Sequence, residues 1–179
     1  TGRLVNLLND MALPVTEIKK SYINIHEVTE HVVDLFKFDL KNKNVIFQKD
    51  YDPSIPDVST NKEQLIQALI NLVRNSIQAL EFKGNVTIRT RAEPSYTIGN
   101  EYYSLVAKID VIDNGPGIPD EKLKEIFYPM VSTKSDGMGL GLTIAQSIIM
   151  QNSGLIECSS KQRETIFTIV LPVRNKDYE

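Results

Sequence analysis

A stripe of uncharged amides is the first feature of this sequence that could do chemistry. Within residues 61–82 the amides recur at steps of three and four, which places them on one side of a helix; they are Gln64, Gln67, Asn71, Asn75 and Gln78. Glu and Lys make a better solvated helix surface, so we expect a polar ligand against this stripe. An asparagine oxygen is a neutral ligand suited to Mg²⁺. A helix face that makes surface or interdomain hydrogen bonds would have the same pattern.

A second candidate is the Asp-Asn-Gly-Pro-Gly sequence at 113–117, which follows a predicted strand. The carboxylate of Asp113 could accept a hydrogen bond from the amino group of adenine, and Gly115 and Gly117 would let a flat ring approach the backbone. Guanine has a carbonyl at that position, so this aspartate would select ATP over GTP. The same residues are also typical of an ordinary turn.

The third candidate is the Gly-Met-Gly-Leu-Gly-Leu sequence at 137–142, which runs directly into a predicted helix. Free amides and the dipole at a helix start suit phosphate, and glycines permit close approach. The pattern is neither a Rossmann fingerprint nor a P-loop, which needs Gly-Lys followed by Ser or Thr. A structural turn remains the alternative. Lys134 could meet a phosphate as a point charge or be a solvated loop lysine.

Apolar periodicity predicts the elements that must position these segments. It indicates helices at 25–41, 61–82 and 139–152, and strands at 45–51, 86–92, 103–113, 155–160 and 165–171. Turn residues at 93–100 predict a hairpin between the second and third strands. Because adjacent strands are joined by hairpins, we expect an α+β fold with helices on one sheet face.

Length and composition limit the classes of protein. The 179 residues suffice for one domain with a short appendage, and no apolar run approaches the ~18 residues that a membrane helix needs. A net charge of −3 gives no general attraction to phosphate backbones, so no nucleic-acid role is expected. The single Cys158 fits a reducing compartment, and we expect a cytoplasmic domain.

The N-terminal segment 2–11 also has helical spacing and ends near Pro14. We expect it to be the end of a longer helix, followed by a linker, so the predicted division is 1–21, 22–174 and a tail at 175–179. His26 and His31 both lie on the predicted helix 25–41, where no proline or other break would present them. We expect structural roles for both histidines.

Taken in order, four segments closely resemble the N, G1, F and G2 boxes of sensor histidine kinases. They are Asn-Leu-Val-Arg-Asn-Ser-Ile-Gln-Ala at 71–79, Asp-Asn-Gly-Pro-Gly at 113–117, Phe-Tyr-Pro-Met-Val-Ser at 127–132 and Gly-Met-Gly-Leu-Gly-Leu at 137–142. The resemblance implies a two-layer α/β sandwich of the GHKL (Bergerat) type, a mixed sheet with helices packed on one face. The third segment and Asp-Tyr-Asp-Pro-Ser-Ile-Pro at 50–56 look most like the nitrogen-regulation (NtrB-type) kinases.

The resemblance implies an ATP and Mg²⁺ site in which Asn75 would coordinate the metal and Asn71 would support the phosphates. The residues implied for the adenine end are Asp113, Gly115, Gly117 and Thr165, and those for the triphosphate are Gly137, Gly139, Leu140, Gly141 and Leu142. Many of these kinases carry a lysine where this chain has Gln78, which shifts the cationic role to Lys134 or Arg74.

The implied reaction is transfer of the ATP γ-phosphoryl group to a histidine and then to an aspartate of a response regulator. Neither histidine here has the His-Glu-x-x-x-Pro setting of the family's acceptor, so we expect the acceptor upstream of Thr1. Relatives that hydrolyse ATP carry a glutamate where Asn71 stands, and without that base water lacks a proton acceptor. A GHKL ATPase, or a GHKL regulatory module without phosphotransfer, are the alternatives.

The partners that the resemblance implies are the histidine-bearing dimerisation domain of the same protein, an NtrC-type receiver domain and a P-II-class nitrogen signal protein. The whole protein would be a homodimer. The segment 2–11 is too short to dimerise firmly. We therefore expect these 179 residues to be monomeric or weakly dimeric.

Overall fold

The computed structural model describes residues 18–129 and 139–175. The predicted N-terminal helix at 2–11, Lys134 and Gly137 lie outside these residues. The elements in chain order are β1 (Ser21–Ile23), α1 (Ile25–Asn42), β2 (Val45–Asp50), β3 (Val58–Thr60), α2 (Lys62–Ala79), β4 (Gly84–Ile98), β5 (Glu101–Asp113), α3 (Asp120–Leu123), α4 (Gly141–Gln151), β6 (Leu155–Lys161) and β7 (Glu164–Asn175).

Five strands form a mixed sheet in the order β2-β4-β5-β7-β6. Strand β2 runs parallel to β4, and the chain between them passes through β3 and α2. The other neighbours pair antiparallel. Strands β1 and β3 form a separate two-stranded antiparallel sheet. The predicted α+β class with a mixed sheet is confirmed.

The core lies between one face of the large sheet and the three long helices. Alternate residues of β5 and β7 point into it, as their 0–1% exposure shows; they are Ala107, Ile109, Val111, Phe167, Ile169 and Leu171. Helices α1, α2 and α4 cover them with apolar faces, among them Val28, Val32, Leu65, Leu69, Leu72, Ala145 and Ile149. The opposite sheet face carries polar and charged side chains, including Arg89, Lys108 and Thr168. The predicted sandwich with helices on one face is therefore confirmed.

The β4–β5 hairpin is longer than the sequence predicted. Turn residues at 93–100 suggested an early turn, but β4 continues to Ile98, and Gly99 turns the chain with a φ of +60°. Pro94 is tolerated inside this strand because β2 pairs with β4 only as far as Arg89. In the part of the chain that the structure describes, β4 has no strand beside it on the β2 side beyond Arg89. A proline there does not break the sheet, because its missing N–H would have had no strand partner.

The short strands β1 and β3 were also missed, since three residues show no usable alternation. Their pairing shortens the predicted linker, because Ser21 already lies opposite Thr60. Helix α2 ends at Ala79, earlier than the predicted 82. No helix among residues 18–129 and 139–175 is long and apolar enough to cross a membrane.

The amide of Asn152 joins three elements at the C-terminal end of α4. Its Oδ1 accepts hydrogen bonds from Thr60 Oγ1 at 2.9 Å and from Asn61 N at 3.0 Å. Its Nδ2 donates to Gln64 Oε1 at 2.8 Å and to Ile148 O at 2.9 Å. A primary amide has two donor hydrogens and two acceptor lone pairs, so every group of this buried side chain is satisfied. Asn152 therefore fixes α4 against the start of α2.

We expect Asn152→Ala to lower the free energy of unfolding by about 2–4 kcal/mol, because the substitution leaves several buried polar groups unpaired. Urea denaturation followed by circular dichroism measures this change. Gln67→Ala removes an exposed amide from α2 and is the control, with a change within about 0.5 kcal/mol. Equal stability of the two variants would show that the Asn152 bonds contribute nothing.

Candidate functional site

Helix α2 carries the amide stripe along one side of its buried face. Asn61 caps the helix by accepting from Gln64 N at 2.9 Å, which fixes where the first turn begins. Asn71 and Asn75 are half-buried, whereas Gln67 and Gln78 are exposed. Gln64 has a structural role, because its side chain accepts a hydrogen bond from Asn152. The other two half-buried amides of the stripe, Asn71 and Asn75, are the ones that could line a site.

Asn71 ties this helix to the start of α4. Its Nδ2 donates a hydrogen bond of 3.1 Å to the carbonyl oxygen of Gly141. The amide thereby holds the first residue of α4 beside the stripe. Asn75 lies one turn further along, and none of the residues in 18–129 and 139–175 forms a hydrogen bond with its side chain.

The N-terminus of α4 has the properties of an anion-binding site. The residue at its N-cap position is Leu140, which has no side-chain oxygen to bond the first amides. Among residues 18–129 and 139–175, no atom beyond the chain neighbours and the backbone of α4 itself lies within 4 Å of the place where a Cβ on Gly141 would stand. Gly139 has a φ of +67°, a conformation that favours glycine. Leu142 packs against the core and anchors the turn.

Helix α4 is also tied to the segment that precedes the glycine sequence. Thr143 Oγ1 donates a hydrogen bond of 2.9 Å to the carbonyl oxygen of Phe127. The ring of Phe127 packs against the core, while Tyr128 is exposed. The chain at Phe127 is thereby fastened to the first turn of α4.

The turn at residues 113–117, here called the Asp113 turn, packs against the C-terminal end of α2. The Asp113 side chain is 2% exposed, and its Oδ1 accepts a hydrogen bond of 3.0 Å from Gly115 N. A Cβ on Gly115 would lie 2.8 Å from this oxygen and 3.2 Å from the carbonyl oxygen of Ala79. Asn114 Oδ1 accepts from Asn85 N at 2.7 Å and fastens the turn to β4. Glycine at 115 therefore suits the close approach to α2, because a Cβ there would have to displace the carboxylate or the carbonyl oxygen.

The β6–β7 hairpin supports the same turn from the other side. Gly117 has a φ of +87°, and a Cβ there would lie 2.5 Å from the carbonyl oxygen of Lys161. Ile118 N donates a hydrogen bond of 2.8 Å to Ser160 Oγ, which lies 2.8 Å from Thr165 Oγ1. Thr165 is the antiparallel partner of Asp113 in the sheet. Two of the residues predicted for one end of the site are thus neighbours on adjacent strands.

Ser160 was not singled out from the sequence, although a signal for it exists. It lies on the core-facing side of β6 with Ile156 and Cys158, where alternation calls for an apolar residue. A small polar side chain at such a position indicates a specific hydrogen-bond partner. In β6 these partners belong to the Asp113 turn and to β7.

Cys158 lies on β6, two residues before Ser160, and its thiol is unreactive. Burial raises the pKa of its thiol to about 12, and the negative charge of Asp113 contributes in the same direction. The thiol therefore stays protonated at neutral pH and is not a nucleophile. Cys158 packs against the core as a strand residue.

Helix α2 spans the whole candidate site. Asn71 contacts the start of α4, and Ala79 contacts the Asp113 turn. These two residues are eight positions apart, which corresponds to about 12 Å along a helix axis. Asn75 lies midway between them. Three groups thus lie along α2: the start of α4, the half-buried amide of Asn75 and the buried carboxylate of Asp113. This is the order that an extended nucleotide would need.

The two histidines lie on α1, away from this arrangement. The His26 ring stacks on Tyr51 with centroids 4.8 Å apart, and its Nε2 lies 2.8 Å from Thr90 Oγ1. Burial lowers the pKa of His26 below 6.5, against the opposing charges of Asp52 and Glu30. A neutral, hydrogen-bonded ring fits the structural role expected for His26. His31 is exposed.

Comparison with known proteins gives a consistent family. Residues 60–175 match the family described as histidine kinase-, DNA gyrase B-, and HSP90-like ATPase. The sensory histidine kinase/phosphatase NtrB of Escherichia coli O157:H7 is 45% identical over 172 residues, which are 96% of this chain and 48% of that protein. The protein of the same name from Rhizobium leguminosarum bv. phaseoli is 34% identical over 180 residues, 96% of this chain and 47% of its own length. The chain thus spans about half the length of these relatives.

Solved structures agree with these sequence matches. The catalytic domain of histidine kinase ThkA superposes with a TM-score of 0.74 at 29% identity, covering 87% of this chain and 96% of that one. Histidine kinase ThkA in complex with the response regulator protein TrrA gives 0.74 at 25% identity, covering 99% of this chain and 49% of that one.

Proposed function

Since this chain belongs to the family of histidine kinase-, DNA gyrase B- and HSP90-like ATPases, we propose that it is the ATP-binding domain of a sensor histidine kinase. In this role it holds Mg²⁺-ATP and presents the γ-phosphoryl group to a histidine, which its similarity to NtrB and to a histidine kinase catalytic domain supports. That histidine lies outside these 179 residues. The phosphoryl group then passes to an aspartate of a response regulator.

The observation that carries this proposal is the span of α2. One rigid helix supports the uncapped start of α4 at Asn71 and the turn of the buried carboxylate at Ala79. A helix holds this separation of about 12 Å without a hinge. Adenine would lie against the Asp113 turn, and the phosphates would extend toward Gly141.

Asp113 would recognise the base. A buried carboxylate accepts hydrogen bonds and donates none, which suits the exocyclic amino group of adenine. The carbonyl oxygen of guanine would face a second acceptor there and be repelled. Gly115 and Gly117 keep the turn free of side chains, and Thr165 on the neighbouring strand completes this end.

Asn71, Asn75 and the start of α4 would hold the phosphates and the metal. The amides of Gly141 and Leu142 belong to a helix start without a side-chain cap, and the helix dipole adds positive potential. Asn75 is half-buried and offers a neutral amide oxygen of the kind that Mg²⁺ accepts. The magnesium ion would neutralise phosphate charge during transfer. Lys134, Gly137 and Arg74 are further proposed phosphate contacts, with Gly139 and Leu140 shaping the loop.

Transfer to a side chain, rather than to water, follows from the chemistry of Asn71. Its amide donates to Gly141 O and cannot take a proton from an attacking water. The site therefore orients ATP and leaves the nucleophile to the acceptor domain. This division of labour distinguishes a kinase domain from an ATPase.

The partners follow from this assignment. We propose a homodimer through the histidine-bearing dimerisation domain, an NtrC-type receiver as the phosphoryl acceptor and a P-II-class protein as the signal. Residues 1–21 would be the end of the dimerisation helix and a linker, 22–174 the catalytic domain and 175–179 a tail. The similarity to NtrB supports a role in nitrogen regulation. We propose the cytoplasm as the location of the domain, because ATP is present there.

Asp113→Asn tests the recognition of adenine. Asn keeps an oxygen for Gly115 N but loses the charge, and a hydrogen bond to a charged group contributes about 1.5–3 kcal/mol. We expect ATP affinity to fall by about 10- to 150-fold in titration calorimetry, with an unchanged circular dichroism spectrum. The matched control is Asp120→Asn, an exposed carboxylate that should leave the affinity unchanged. Wild-type affinity in Asp113→Asn would contradict the adenine assignment.

Phosphotransfer is tested by mixing the chain with a dimerisation domain that carries the acceptor histidine and with γ-labelled ATP. We expect acid-labile label on that domain, lost in Asn75→Ala because the metal ligand is removed. Gln67→Ala is the control, as it removes an exposed amide of the same stripe. Steady release of labelled phosphate in place of labelled protein would favour an ATPase instead.

A further inference from the structure

One hydroxyl group, that of Ser160, joins the Asp113 turn to β7. Its Oγ accepts a hydrogen bond from Ile118 N at 2.8 Å and lies 2.8 Å from Thr165 Oγ1. The same Oγ donates to the carbonyl oxygen of Glu164 at 3.2 Å. Three neighbours therefore share one side chain, which is only partly exposed.

The number of hydroxyl hydrogens limits the directions that these three bonds can take together. A serine hydroxyl has one hydrogen to donate and two lone pairs that accept. A single arrangement serves all three neighbours: the Ser160 hydrogen goes to Glu164 O, and Ser160 Oγ accepts from Ile118 N and from the hydroxyl of Thr165. The hydrogen of Thr165 is then directed at Ser160. Towards any other group, the Thr165 hydroxyl can then only accept hydrogen bonds, through its lone pairs.

This arrangement controls the chemistry of the base end. Thr165 is the register partner of Asp113, so the two side-chain positions are neighbours on adjacent strands. With its hydrogen held by Ser160, Thr165 offers acceptors alone, as a carboxylate does. Two acceptors side by side match a base edge that carries an amino group and repel one that carries a carbonyl.

We propose that Ser160 is a positioning residue that sets the nucleobase specificity of this site, by holding the Thr165 hydroxyl in its acceptor orientation and the Asp113 turn through Ile118. The inference rests on the proposed function, since it assumes that a purine nucleotide binds here. Without the Ser160 hydroxyl, Thr165 can rotate and donate to the carbonyl of guanine. The turn also loses its bond to β6.

The test measures ATP and GTP affinity of the 179-residue chain by titration calorimetry. For Ser160→Ala we expect ATP affinity to fall by about 3- to 10-fold and the ratio of ATP to GTP affinity to narrow by a similar factor, the size of one or two neutral hydrogen bonds. Ser160→Thr keeps the hydroxyl and should restore both values. Ser159→Ala is the matched control, because Ser159 is the next residue of β6 and lies on the opposite sheet face.

Each outcome separates the inference from the function on which it rests. A wild-type ATP:GTP ratio in Ser160→Ala would overturn the positioning role while leaving the proposed function intact. Equal losses in Ser160→Ala and Ser160→Thr would also overturn it, since the hydroxyl would then not be the cause. A narrowed ratio that Ser160→Thr restores supports the inference. Absence of ATP binding by the wild-type chain would refute the proposed function and the inference together.

Discussion

The close approach of Gly115 to the end of α2 is the contact on which the candidate site depends. A Cβ at this position would lie 2.8 Å from Asp113 Oδ1 and 3.2 Å from the carbonyl oxygen of Ala79, so a larger residue would have to displace the carboxylate or the end of α2. This contact sets the Asp113 turn at one end of α2, while the bond from Asn71 Nδ2 to Gly141 O sets the start of α4 about two turns away. The helix between them gives the site its length.

Strand register supplies the second constraint. Side chains alternate between the faces of a strand, so Ile109, Val111 and Asp113 share the side of β5 that faces the helices. A slip of one residue would move the carboxylate to the opposite face. The antiparallel register of β5 with β7 places Thr165 opposite Asp113, and β6 brings Ser160 within bonding distance of it. The proposed base end is thus built from residues of β5, β6 and β7.

Much of the fold and of the candidate site could be predicted from the sequence, because the spacing of apolar residues indicates which faces of helices and strands are buried. The long helices and strands were found in this way, and Asp113, Gly115 and Gly117 stand out as a dense turn after a strand. The order of the four segments identified the fold, which no single segment could do. The three-residue strands β1 and β3 were missed because their pairing depends on distant partners. The roles of Asn152 and Ser160 depend on hydrogen bonds between elements far apart in sequence, which no local pattern reports.

The central claim is that one nucleotide lies along α2 and contacts both of its ends. The most direct measurement is a titration of the ¹⁵N-labelled chain with Mg²⁺ and a non-hydrolysable ATP analogue, followed by amide chemical shifts. If one nucleotide lies along α2, the amides of Asn114 and Gly115 and those of Leu142 and Thr143 shift together, with a single dissociation constant. Shifts confined to one of these ends, or two different dissociation constants, would contradict it.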